Sequence, residues 1–253
     1  MPSVVLLGTG NVAQHLFHAF KKAEEVELIQ IYGRKMPRLK AFSKHVEVTN
    51  DLSKLKDADI YILAISDSAI TPVSELINEK NGMIVHTSGA VSLRAISHKR
   101  QGVFYPLQTF TQGKSIDFST IPICIEATKV SDLKQLKRLG MAVSKSVHEI
   151  TSAQRKKIHL SAVFVNNFTN HLFHIGEEIC KENKIPFQLL HPLISETVDK
   201  IRNLSPLDAQ TGPARRNDIE TMQLHLDELK NPLQKKLYQI LSESIKTSYE
   251  KEL

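Results

Sequence analysis

The chain has no tryptophan and only two cysteines among 253 residues. Cys124 and Cys180 stand in unrelated contexts, and neither belongs to a CxxC pair. That argues against a disulfide framework or a thiolate metal site and leads us to expect free thiols in a reducing, cytoplasmic compartment. No apolar run approaches the roughly 18–20 residues needed to span a bilayer. The N-terminus MPSVVLLGTG has no basic leader and no small-residue cleavage site, so Val4–Leu7 is read as a strand and not as a signal peptide. A strong excess of one charge is missing too. The net charge is +6, with Lys and Arg scattered among acids, and no basic stripe alternates with aromatics as a nucleic-acid face requires. Neither nucleic acid nor a membrane is therefore an expected partner. A small anionic ligand accounts for a local basic excess more simply.

What is present is an alternation. Ser3–Leu7 is an apolar run of strand length, and Asn11–Glu24 places Val12, Leu16, Ala19 and Phe20 on one helical face. Strands follow at Val26–Tyr32, Val46–Val48, Asp59–Ile65, Gly82–His86, Gly102–Tyr105, Ile121–Glu126 and Ser146–Ile150. Between them, helices are expected at Pro37–Lys44, Ile70–Asn78, Val91–His98 and Ser131–Met141. Strands alternating with helices indicate βαβ units, hence an α/β fold with a doubly wound, Rossmann-type parallel sheet. From Thr151 the pattern contains no convincing strand. Thr151 and Gln154 form a capping box, opening a helix that runs to about Asn183, with further helices at Phe187–Leu204, Asp218–Leu229 and Pro232–Glu250. The expected domains are a dinucleotide-binding domain at 1–150 and an all-helical domain at 151–253.

Gly8-Thr9-Gly10-Asn11-Val12-Ala13 matches G-x-G-x-x-G/A, entered by a strand and left by an amphipathic helix, as the motif requires. Gly8 permits the tight turn, Gly10 lets the backbone approach a pyrophosphate, and Ala13 allows close helix–strand packing. The helix start then offers free N–H groups, those of Thr9, Asn11 and Val12 among them, to a phosphate. NAD-preferring sites place an acid at the end of the second strand to bind the ribose 2′-hydroxyl. Here Tyr32-Gly33-Arg34-Lys35 stands at that point, with no acid. Arg34, helped by Lys35, suits a 2′-phosphate, so NADP is the expected cofactor.

The other strand ends supply the rest of the expected pocket. Ile65 and Ser66 follow the fourth strand and His86-Thr87-Ser88-Gly89 the fifth, giving Ile65, Ser66 and Ser88 as cofactor contacts and His86 and Ser88 as substrate-lining candidates. In the capping-box helix, positions 159, 163, 166/167, 170 and 174 fall along one face. Three asparagines in so apolar a helix must be hydrogen-bonded or line a cavity. A carbonyl or imine taking hydride needs its developing charge held and a proton donor nearby. His159 and Asn167 are the catalytic candidates, with Asn170 beside them. In the late TGPARRND segment, Arg215 or Arg216 could meet a substrate carboxylate, with Arg216 the chosen candidate, and Asp218 could cap the next helix. His171, His174 and Glu178 have metal-like spacing, but nothing fixes a third ligand and no metal is expected.

The segments GTGNVA, HTSGAVSL, GVFYPLQTF and TGPARRND…T…H resemble the Rossmann-like NADP oxidoreductases that carry an uncharacterised helical C-terminal domain. That group is similar in architecture to pyrroline-5-carboxylate reductase, ketopantoate reductase and the hydroxyisobutyrate and 6-phosphogluconate dehydrogenases. The resemblance implies a helical domain that closes the site and builds a homodimer, and hydride transfer to or from a small polar carbonyl or imine. One departure stands out. The hydroxyacid dehydrogenases place a lysine four residues before an asparagine on this helix, whereas Asn167 is preceded there by Val163 and Asn166 by Ala162. That argues against a decarboxylating hydroxyacid dehydrogenase and leaves His159 as the candidate substitute. It also keeps open an alternative, a non-catalytic NADP-binding redox sensor.

Overall fold

The structure is a computed structural model, in which residues 1–250 are described. Its first elements are β1 (Ser3–Leu7), α1 (Asn11–Lys22), β2 (Glu27–Tyr32), α2 (Met36–Leu39), β3 (Glu47–Thr49) and β4 (Ile60–Leu63). They are followed by α3 (Ile70–Leu76), β5 (Met83–His86), β6 (Gln101–Pro106), β7 (Ile123–Ala127), α4 (Val130–Met141) and β8 (Val147–Glu149). The strands form one sheet in the order β3-β2-β1-β4-β5-β6-β7-β8. Its first six positions are the order 3-2-1-4-5-6 of a dinucleotide-binding sheet.

The unbroken apolar strands reflect cover on both faces. Val4 and Leu6 of β1 join one buried cluster with Leu16 and Phe20 of α1, while Val5 and Leu7 join another with Ile70 of α3. One expectation is corrected here. All pairs run parallel except β6 with β7, which is antiparallel, and β8 then returns parallel to β7 beyond α4. A second correction concerns Val91–His98, where only a 3-10 turn at Leu93–Ala95 forms. The Ser88 hydroxyl accepts the N–H groups of Ala90 and Val91, that of Ser92 accepts Arg94 N–H, and that of Ser152 accepts Leu93 N–H. Serine side chains thus take the donors an α-helix would have used.

After the capping box, α5 (Ser152–Ala162) runs through a π-helical turn at Val163–Phe168 into α6 (Thr169–Glu182). Then come α7 (His191–Lys200), α8 (Pro206–Ala209), α9 (Ile219–Glu228) and α10 (Pro232–Glu250). Asp218 caps α9, accepting Thr221 N–H at 3.1 Å and the Thr221 hydroxyl at 2.8 Å. The chain forms two compact units, Met1–Asn167 and a second from Phe168 onward. α5 belongs to the first, held by the wholly buried Arg155 and by Ser152, whose N–H reaches Glu126 of β7 at 2.8 Å.

Candidate active site

The turn after β1 has the geometry its sequence demands. Gly8 sits at φ 138°, and a Cβ there would lie 2.1 Å from the Ala64 carbonyl oxygen, so only glycine fits. Gly10 has nothing within 4 Å of the position a Cβ would take. It caps α1 without any side-chain hydrogen bond, and the first turn holds no acid. The open space and the uncapped N–H groups of Asn11 and Val12 fit the pyrophosphate of a dinucleotide. Thr9 packs beside Gly33, where a Cβ would come 2.5 Å from its methyl group. At the end of β2, Arg34 and Lys35 are exposed, and no acid follows Tyr32. Ile65 and Ser66 lie at the open end of β4, half-buried and exposed respectively.

The loop after β5 is different from what its polar sequence suggests. His86 is completely buried, and its Nδ1 accepts the Ser88 N–H at 3.1 Å. Burial, followed by the Arg155 guanidinium, pushes its pKa down to about 4, so the ring is neutral. It cannot line a substrate pocket, and that expectation is corrected. Ser88 is nearly buried and spends its hydroxyl on Ala90 and Val91. The loop is held from below by a buried polar group. Arg155 pairs with Glu126 and donates to the Val91 carbonyl at 2.6 Å and to the Ser152 hydroxyl at 3.1 Å. The Ser152 hydroxyl donates in turn to Glu126 at 2.8 Å.

Above this network sits a pair that involves one expected residue and one without an assigned role. Tyr105, at the end of β6, lies 3.2 Å from His159 Nδ1 through its hydroxyl, with the rings edge to face. Gly89 packs against both. A Cβ there would meet His159 Nδ1 at 2.6 Å and Tyr105 Cζ at 2.8 Å. Burial pushes the Tyr105 phenol up, which keeps it protonated and able to donate.

Tyr105 and His159 open onto a cleft of about 650 Å³, within the range of small-molecule sites. Its walls include Asn11 and Val12 of the dinucleotide turn, Thr109 and Phe110 after β6, and Asn166 and Asn167 of the π turn. The Asn11 side-chain amide donates to the Phe110 carbonyl at 2.9 Å, tying the two walls together. The expected helical face runs into a π turn. With α-spacing, positions 159, 163, 166/167 and 170 share a face, but a wide turn, often found at functional sites, intervenes at 163–168. His159, Val163, Asn166 and Asn167 line the cleft, whereas Asn170 and Arg216 belong to the second unit and are exposed. Arg215, next to Arg216, is engaged locally, bonded to the Gln210 carbonyl and stacked 5.0 Å over Tyr249.

Sequence reasoning placed Tyr105 and Gly89 in polar strand-end loops but gave them no role, and it missed Arg155 and Glu126. Arg155 is written among Lys156 and Lys157, but its spacing of four from His159 puts both on one side of α5. That spacing was the available signal. Tyr105 had none beyond its place at a strand end.

A turn shaped for a pyrophosphate beside a cleft holding a proton-bearing pair defines a nicotinamide-dinucleotide-dependent oxidoreductase. Residues 3–88 match the model of the coenzyme F420-dependent NADP oxidoreductases, and residues 121–245 match a domain of unknown function, DUF2520. A protein of Bacteroides fragilis described as a candidate NADP oxidoreductase is 35% identical, with 97% of this chain and 98% of that one covered at a TM-score of 0.90. The chain belongs to this family of NADP oxidoreductases with a DUF2520 C-terminal half. Two further structures establish the fold alone. Pyrroline-5-carboxylate reductase of Streptococcus pyogenes is 12% identical, with 97% and 98% covered and a TM-score of 0.65. An imine reductase of Myxococcus stipitatus, solved with NADP+, is 11% identical, with 97% and 92% covered and a TM-score of 0.63. No curated protein sequence matches the chain.

Proposed function

We propose that the protein reduces a small polar carbonyl or imine compound, or oxidises the corresponding product, with NADP(H) as its cofactor. The observation that carries this reading is the Tyr105–His159 pair, facing a cleft that has Asn11 and Val12 in its wall. The bound dinucleotide supplies the hydride. The backbone amides of Thr9–Val12 hold its pyrophosphate, the Gly8 N–H being bonded to the Tyr32 carbonyl; Arg34 and Lys35 hold its 2′-phosphate, and Ile65, Ser66 and Ser88 flank the remainder. His159 carries the proton that the substrate heteroatom takes up. With the Tyr105 hydroxyl donating to Nδ1, that proton sits on Nε2. The Asn166 and Asn167 amides hold the heteroatom while charge develops on it.

The second unit supports a homodimer in this reading. Leu172, Leu189, Leu193, Ile201, Leu224 and Ile240 are 41–69% exposed in the single chain, and a second copy presents an equally apolar surface to cover them. Asn170 and Arg216 are assigned to substrate binding on the strength of their chemistry alone.

The test is a titration with NADPH and NADH, followed by absorbance at the nicotinamide band with keto acids, aldehydes and cyclic imines. Turnover is expected, with a loss of at least 100-fold in Tyr105→Phe combined with His159→Ala. Turnover that survives this change together with Asn167→Ala misplaces the site. Tight binding with no turnover across the panel favours a redox sensor, the reading that the missing lysine before Asn167 also suits.

A further inference from the structure

One face of α1 is polar along its whole length, with Asn11, His15, His18 and Lys22 at i, i+4, i+7 and i+11. The segment after β6 runs along this face. It is tied at Asn11 through the Phe110 carbonyl at 2.9 Å, and at His15, whose Nε2 lies 3.0 Å from the Lys114 carbonyl and whose Nδ1 lies 2.9 Å from that of Asn11. Beyond His15 the two part and enclose a second cavity of about 500 Å³, separate from the cleft.

Its lining has a definite chemistry. Ala19, Ile116, Phe118 and Val143 make an apolar floor, Lys22 and Lys114 supply cationic groups, and His18 adds a polar ring. The one acid in the lining, Asp117, already accepts the Ser119 N–H at 3.0 Å and has Lys145 as well as Lys22 nearby. Neither Lys22 nor Lys114 has an ion pair among the described residues. His18 is pushed down by burial and then by the surrounding His15, Lys22, Lys21 and His45, which reports the same local excess of positive charge. An apolar chamber with unneutralised cations at its edge fits one kind of molecule.

We propose that this cavity is a second ligand site, for a small organic carboxylate with an apolar body. It is linked to the dinucleotide turn. Residues 107–110 line the cleft and 113–119 line the cavity, and this one continuous segment is bonded to α1 at Asn11 and His15. A ligand that orders 113–119 therefore biases the turn that holds the pyrophosphate, and the coupling is reciprocal.

The probes are octanoate, acetate and inorganic phosphate, added to the isotope-labelled full-length protein and followed by nuclear magnetic resonance. Octanoate is expected to give saturable shifts at His15, His18, Lys114 and Phe118, and to bind at least tenfold more tightly than acetate or phosphate. Lys22→Glu, an exposed change, should weaken octanoate at least tenfold without altering the rest of the spectrum. Saturating octanoate should change the Kd of NADPH at least twofold, and NADPH should change the Kd of octanoate by the same factor. Shifts confined to the second unit overturn the site, as does full octanoate affinity in Lys22→Glu. Acetate or phosphate binding as tightly as octanoate overturns the apolar specificity, and an unchanged NADPH Kd overturns the link. None of these readouts needs turnover, so the site stands or falls independently of the proposed reaction.

Discussion

In β1 of the first unit, Val4, Val5, Leu6 and Leu7 are wholly buried, whereas in the helices after Phe168, Leu189, Leu193, Leu224 and Ile240 remain 52–69% exposed. The buried core after Asn167 contains only Cys180 and Ala214 among the described apolar residues. A parallel sheet closes its own core because helices cover both faces. An amphipathic helix needs a partner for its stripe. The first unit therefore carries its stability within itself, and with it a turn, a cleft and a buried ion pair. The helical unit has apolar surface still to place.

The largest effect expected from this contrast is at Arg155. Arg155→Ala leaves Glu126 without its partner beneath the β5 loop, and breaking a buried pair costs about 3–5 kcal/mol. Urea unfolding should show that loss in the first unit's transition. A cost below about 1 kcal/mol would mean that the loop is held elsewhere.

Next comes a pH effect from His86. Its folded pKa, about 4, lies below the unfolded value of 6.5, so below pH 6.5 the unfolded chain takes up a proton that the folded one refuses. Stability is fully present above pH 6.5 and is lost as pH falls towards 4, by up to about 3 kcal/mol. Comparing urea midpoints at pH 7.5 and 4.5 checks this, and the slope should flatten in His86→Asn.

Arg34→Ala is expected to weaken NADPH by about 1.5–3 kcal/mol, the range for hydrogen bonds to charged groups, and to leave NADH nearly unchanged. Equal losses for both cofactors would break the assignment of the 2′-phosphate. The smallest effect belongs to the helical unit. Leu193→Ala should cost less than about 1 kcal/mol in dilute protein, since an exposed side chain leaves no cavity. At higher concentration wild type should gain in Tm while Leu193→Glu does not, because association stabilises by mass action. A Tm independent of concentration would remove the dimer from this picture.

Much of the first unit was legible in the residues. Continuous apolar runs located the strands, and GTGNVA marked the turn because its glycines answer steric demands stated within six residues. The antiparallel β6–β7 pair was not legible, since a short buried strand carries no mark of direction. The failed helix at Val91–His98 was hidden because Ser152, the hydroxyl that takes Leu93 N–H, lies 59 residues away. His86 looked like a pocket residue for a related reason. A polar residue at a strand end reads the same whether it faces solvent or lies under a loop.

By itself the sequence determined the alternation of strands and helices, the phosphate turn and the cationic end of β2. Each of these depends on neighbours within one or two turns of chain. Only the tertiary structure decided that Tyr105 meets His159 across 54 residues and that Arg155 is buried on Glu126. Those contacts depend on which segments the sheet places side by side, and no local pattern of residues records that.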